Sequence, residues 1–357
     1  MKSKLKIIAS TALVLGLTGQ VSAGEWYPYE ASQTQPAFSS DGVASNVAYF
    51  PLITSTKAWN ICVSFPHMKD SYWLGVDYGV AEEAKRLGVN MNLVEAGGYT
   101  ELTKQISQIE DCVAGGADAV VIGAISYDGL NNLVAEVASA GIPVIDVVNG
   151  MSSPDLSAKS LVSFSIMGYE TGAYLANKHP AGSETVKVGW FPGPAGAGWV
   201  EAAHSGFMDA VKGSAVEVIE PRFGDTGKET QLKLVEDVIQ ANPDVRYIAG
   251  TAVTAEAAQG LIRERGLQGK VDLLAFYMTP GVYSGIKRGF ILAAPADSMV
   301  IQGRIAIDQA VRILENQSYI KHVGPKIFVV DPSNIDNVPM TDILPPDGYK
   351  PVFNVTN

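Results

Sequence analysis

Cysteine is nearly absent. The chain has two, Cys62 and Cys112, in 357 residues. That excludes a disulfide-stapled miniature scaffold and a cysteine-built metal centre, which need several cysteines at short spacings. Histidine is equally sparse: His67, His179, His204 and His322 are scattered, and none has a second ligand at metal-like spacing. No G-x-S-x-G elbow occurs, and no serine or cysteine stands beside an obvious base, so covalent catalysis has no support. Gly193, Gly196 and Gly198 lack the lysine and Ser/Thr that follow in a phosphate loop, and they miss the dinucleotide spacing; they read as a tight turn before a helix. Beyond the N-terminus no apolar run approaches membrane-spanning length. Positive charge is also short, with 26 Lys and Arg against 37 Asp and Glu, a net charge of −11. An acidic chain argues against nucleic acid or an anionic membrane surface as its partner.

What is present begins with an export signal. Lys2, Lys4 and Lys6 precede a short apolar core at 7–17 and the small-residue sequence Val21-Ser22-Ala23, so residues 1–23 read as a cleavable signal peptide. Its three lysines and no acids mean that removal takes the charge from −11 to −11 − 3 = −14. The rest is long enough for two mid-sized domains, and 47% hydrophobic residues rule out a largely disordered chain. Residues 24–55 show no clear period but carry Trp26, Tyr27, Tyr29 and Tyr49. They read as a tail wrapped on the body or as an arm for a partner.

From Trp59 the chain alternates strand and helix. Ile61-Cys62-Val63 is a buried-strand run, 64–70 a polar loop, and Tyr72-Trp73 an aromatic pair opening a helical pattern with Val76, Val80, Ala84 and Leu87 in phase. Gly88 ends that helix. Strands follow at 89–94, 119–122 and 143–148. Between them lie a helix capped by Thr100 and a second one around Leu130 to Val137. A polar break at 149–159 separates this run from a second. There, strands are predicted at 160–164, 187–191, 216–219, 247–249, 271–276, 291–294 and 326–330. Thr226-Gly227-Lys228-Glu229 reads as a capping box, and a long helix covers 299–314. A Pro-rich tail without period follows Asp331. Cys62 sits on a predicted strand and Cys112 on the helix above it; helix-on-sheet spacing favours two buried thiols over a bridge. Alternation of this kind means βαβ units and two parallel sheets.

This order of elements resembles the type I periplasmic binding proteins, such as those for ribose. Three phrases carry the resemblance: the loop and aromatic pair at 64–73, A-G-I-P-V-I-D at 140–146, and F-Y-M-T-P-G at 276–281. It covers about 59–330. The resemblance implies an α/β fold of two Rossmann-like lobes, with three hinge crossings near 163–168, 297–299 and 324–326. The lobes would be 56–163 with 299–325, and 164–298 with 326–333, flanked by the 24–55 extension and a 334–357 tail.

In that family the loops after strands hold the ligand. Sugar binders place Asn, Asp, Gln and Arg there. Here Glu201 stands where Arg is usual, Tyr277 replaces an Asp, and Asn149 stands where a basic residue is expected. The ligand contacts implied are Asp70, Tyr72, Trp73, Tyr99, Trp199, Tyr277 and Asp297. His67 lies in the first loop, where a surface position is expected. Aromatic rings around a compact methylated nitrogen stabilise it by about 0.5–2 kcal/mol each. The Tyr72-Trp73 pair, the Gly97-Gly98-Tyr99 turn and the aromatic-rich extension resemble the branch that detects trimethylamine N-oxide and works with a sensor histidine kinase. The resemblance implies binding without turnover, no cofactor or metal, the kinase's periplasmic domain as partner, and a periplasmic protein not inserted in the membrane. The alternative is a receptor delivering a sugar or small signalling molecule to an ABC transporter.

Overall fold

The computed structural model describes residues 26–39 and 41–357, so the signal-peptide reading lies outside the described residues. An N-terminal hairpin of β1 (Tyr29–Gln35) and β2 (Val43–Tyr49) comes first. A first alternating run follows: β3 (Asn60–Phe65), α1 (Ser71–Leu87), β4 (Asn90–Glu95), α2 (Leu102–Ala114), β5 (Ala119–Ile122), α3 (Asn131–Ser139), β6 (Val144–Val147) and β7 (Ala158–Ser160). The second run is α4 (Phe164–Lys178), β8 (Val186–Phe191), α5 (Gly198–Val211), β9 (Val216–Val218), α6 (Lys228–Ala241), β10 (Val245–Gly250), α7 (Ala252–Glu264), β11 (Asp272–Ala275), α8 (Pro280–Lys287) and β12 (Ala294–Ala296). The chain closes with α9 (Met299–Leu314), β13 (His322–Pro325), β14 (Phe328–Val330), α10 (Met340–Ile343) and β15 (Asn354–Val355).

These strands form two main sheets. One has the order β15-β4-β3-β5-β6-β7-β13-β1-β2, the other β11-β10-β8-β9, and β12 pairs with β14 in a small third sheet. The centres of both main sheets are parallel, as buried apolar strands with helical crossovers require. β3 shows how the sequence enforces this. Five of its six residues are buried, and it lies between β4 and β5 with Val63 opposite Leu93 and Val121. The α1 helix that follows is capped at both ends. The Asp70 carboxylate accepts from Tyr72 N–H, and Gly88 takes φ +77, a left-handed conformation that spares glycine the Cβ clash.

Several expectations are corrected. Cys62 and Cys112 are joined in a disulfide, with Cα atoms 6.1 Å apart. On the same face of α2, seven residues before Cys112, the Gln105 amide donates to Ser64 Oγ of β3 (3.2 Å) and to the Gly123 carbonyl (2.9 Å). Gln105 and Cys112 thus share the α2 face that meets β3, and this register sets Cys112 over Cys62. The strand expected at 160–164 stops at Ser160, because Ser163 caps α4 and Phe164 is already helical. Glu101, not Thr100, occupies the α2 cap position, without a side-chain bond. At α6 the cap residue is Gly227, with no capping box, because the Thr226 hydroxyl is engaged elsewhere. The strand expected at 291–294 lies at Ala294–Ala296, and Ile291 makes only a single bridge to Leu273.

The two aperiodic ends are ordered by pairing. β1 adds antiparallel to β13 and carries β2 with it. Residues 331–357 cross back over α1, where Tyr349 O–H and Val352 N–H both donate to buried Asp77 at 2.9 Å. The tail ends as β15 on the edge of β4.

Candidate functional site

The loops after β3, β4, β6, β8 and β11, with the first residue of α4 and the approach to α6, converge between the two main sheets. Ligands of open α/β sheets bind beyond strand carboxyl ends of this kind. They enclose a small cavity lined by Asp70, Tyr72, Trp73, Tyr99, Val148, Asn149, Phe164, Trp199, Thr226 and Tyr277. About 20 Å³ of it is open to the centre of a water molecule, on a measure where one water takes about 10–15 Å³. The space between the rings thus holds little more than one water, and the chemistry of its lining, not its volume, distinguishes ligand classes.

Six aromatic rings make the wall. Tyr72 and Tyr277 meet edge to face at 5.3 Å, and Trp199 stands 5.9 Å from Tyr99, 5.7 Å from Phe164 and 6.3 Å from Tyr277. Trp73 packs on Phe65 at 4.7 Å. Room for the two indoles is left by glycine: a side-chain carbon at Gly123 would overlap the Trp73 ring, and one at Gly193 the Trp199 ring.

The polar groups are mostly paired with one another. Tyr277 O–H donates to Asp70 at 2.6 Å, and Tyr72 O–H donates to Asp297 at 2.6 Å, where the Gln302 amide adds a second donor at 2.9 Å. Burial pushes both carboxyls up to about 6, against the lowering effect of those donors. Burial also holds the Tyr72, Tyr99 and Tyr277 hydroxyls well above their usual value, so they stay neutral donors. Asn149 donates to Tyr99 O–H (2.9 Å) and to the Ala124 carbonyl (2.7 Å). It is aimed there by Val148, whose φ of +68 is a conformation that a β-branched residue rarely takes. The Trp199 indole N–H is buried beside Tyr99 without a hydrogen bond of ordinary geometry.

Six of the seven residues named from the sequence, Asp70, Tyr72, Trp73, Tyr99, Trp199 and Tyr277, lie together in this wall. Asp297 does not. It stands behind Tyr72, between β12 and α9, and reaches the cavity only through that hydroxyl. Glu201 is exposed and off the wall. His67 is a correction of another kind: it is buried, with Nε2 2.9 Å from Thr226 Oγ1 and its ring edge-on to Tyr99 at 5.4 Å. Burial drops its pKa to about 4. Phe164, Thr226 and Val148 were missed. Each lies at an element boundary, where no periodic signal shows which way a side chain points. Among the described residues no group of three His, Cys, Asp or Glu is placed to hold a metal.

Comparisons with known proteins show the family. A family model described as a periplasmic binding protein domain matches residues 61–318. Periplasmic protein TorT of Escherichia coli (strain K12) is 37% identical over 325 residues, 89% of this chain and 93% of that one. A solved ABC transporter solute binding protein from Bradyrhizobium sp. BTAi1, with bound bis-tris, is 75% identical with a TM-score of 0.81, covering 93% of this chain and 100% of that one. A complex of the TorS sensor domain with TorT in the presence of TMAO (trimethylamine N-oxide) matches with TM-score 0.76 and 35% identity, over 83% and 99%. This chain therefore belongs to the periplasmic binding protein family and, within it, is a relative of TorT.

Proposed function

We propose that the protein is an exported periplasmic receptor that closes its two lobes around trimethylamine N-oxide and reports the closed state to a TorS-type sensor kinase. The single observation carrying this reading is the cavity wall: six rings, no Lys or Arg, and the Asp70 carboxylate and Asn149 amide already bonded to tyrosine hydroxyls of the wall. A sugar needs free hydrogen-bonding partners around its ring, and here few are free. Three methyls on a nitrogen suit π faces. The oxide needs one donor, and the Trp199 N–H and the Tyr99 hydroxyl beside it can supply it. Bis-tris, bound by the 75% identical relative, is itself a tertiary amine. The 37% identity to TorT and the solved TorS–TorT complexes support the kinase as partner.

In this reading the lobes are 56–163 with 299–325 and 164–298 with 326–333, hinged at the crossings, and binding occurs without turnover. Calorimetry with trimethylamine N-oxide, bis-tris and ribose tests the ligand class. The oxide is expected to bind and ribose not to, and the reverse order overturns the reading. Repeating the titration with the TorS sensor domain present tests the signalling half. A kinase domain that prefers the closed form must raise oxide affinity by the factor by which the oxide raises its own. Equal oxide affinity with and without it leaves a transporter receptor as the better account.

A further inference from the structure

We propose that the outer face of the N-terminal hairpin, with the start of α4, is the surface on which the sensor partner docks and reads lobe closure. This rests on the receptor reading above. Side chains alternate across a strand pair, so the hairpin has two faces. On one, Ala31 and Tyr49 are buried against Ile301 and Ile305 of α9. On the other, Ser32, Thr34, Ala44 and Asn46 line an open groove of about 560 Å³, whose opposite wall is Ser163 and Ile166 at the start of α4. One wall thus belongs to the nine-stranded sheet and the other to the helix that leads into the four-stranded one.

The groove also touches the hinge. β1 is annealed to β13, with Ser32 opposite Gly324, and the residues after β13 floor the groove. At the middle crossing Tyr29 O–H donates to Ser298 Oγ at 3.1 Å, next to the Asp297 carboxylate that takes the cavity's Tyr72 hydroxyl. Cavity and hairpin therefore hold adjacent residues of the same crossing. A rotation of the lobes changes the spacing of the groove walls, so a bound partner would sense it.

The chemistry of the groove indicates the occupant. No carboxylate lines it, on a chain with 37 acids, and its one lysine, Lys326, is held by Glu30 at 2.9 Å. Beside it α4 carries exposed apolar residues, Ile166 at 47% exposure and Tyr169 at 48%, one turn apart. With Lys326 and Glu30 neutralising each other, a face without net charge on an acidic protein suits a protein segment presenting small apolar side chains. We assign it to such a segment of the kinase's extracytoplasmic domain.

The test titrates the TorS sensor domain, with trimethylamine N-oxide present, against the unaltered protein, Ile166→Glu, Ala44→Arg and the control Ser45→Arg on the opposite hairpin face. All three positions are exposed, and melting temperature and oxide affinity of the free variants check their folding. Burying a charge in the contact should weaken sensor binding by roughly tenfold or more for the first two, leaving the control and oxide affinity unchanged. If the unaltered protein binds the sensor domain and both groove variants bind it equally well, the docking surface is overturned and the receptor reading stands. If the unaltered protein does not bind it at all, both fall.

Discussion

The loop at 64–70 meets the loops after β9 and β11 in two layers that differ in depth and in charge. At the rim, Lys69 pairs with Asp225 at 2.6 Å, with side chains 40% and 24% exposed. One residue later Asp70 is buried, and its partner Tyr277 is buried with it. The rim pair is a full ion pair and the inner one only a tyrosine on a carboxylate. Yet the inner one governs the geometry, because water does not compete for it. A charge pair in water is worth about 0–1 kcal/mol, whereas a buried group left without a partner costs about 1–3 kcal/mol. Depth, not formal charge, ranks the contacts that close this cleft. His67 lies between the two, a neutral ring locked to Thr226.

The comparison breaks most visibly at Trp73. It is 3% exposed and fills the space that Gly123 leaves, so Trp73→Ala should lose oxide binding and also about 3–5 kcal/mol of stability. Denaturant unfolding beside calorimetry measures both, and a cost below about 1 kcal/mol would show that the inner layer is not packed as described.

A smaller effect is expected from Asp70→Asn, which keeps the helix cap but removes the titration. Asp70 has its folded pKa raised from 3.8 to about 6, so the folded chain holds this proton more tightly than the unfolded one. Stability from this group is therefore highest below about 4 and is lost as pH rises to about 6, by on the order of 3 kcal/mol. His67, lowered to about 4, contributes with the opposite sign over a similar window, but it is present in both proteins and cancels in their difference. Melting curves from pH 4 to 7 should show the variant gaining on the unaltered protein as pH rises; parallel curves would mean the Asp70 carboxyl is not desolvated.

The smallest effect is expected at the rim. Lys69→Ala should change stability by less than about 1 kcal/mol and shift with added salt. A loss as large as that of Trp73→Ala would reverse the ranking by depth.

Local patterning determined much of this protein. Strand and helix periods are written within about ten residues, so the βαβ alternation and the placing of Tyr72, Trp73, Tyr99, Trp199 and Tyr277 after strand ends were legible from single segments. Only the tertiary structure decided which of these residues meet. Asp70 and Tyr277 are 207 positions apart, Tyr72 and Asp297 225, and His67 and Thr226 159. No sequence period reports a contact at that distance. The same reason hid the Cys62–Cys112 bridge, which depends on how α2 packs on β3. It also hid the order in the two chain ends, whose strands carry no useful period of their own and form only because β13 and β4 offer free edges to pair with.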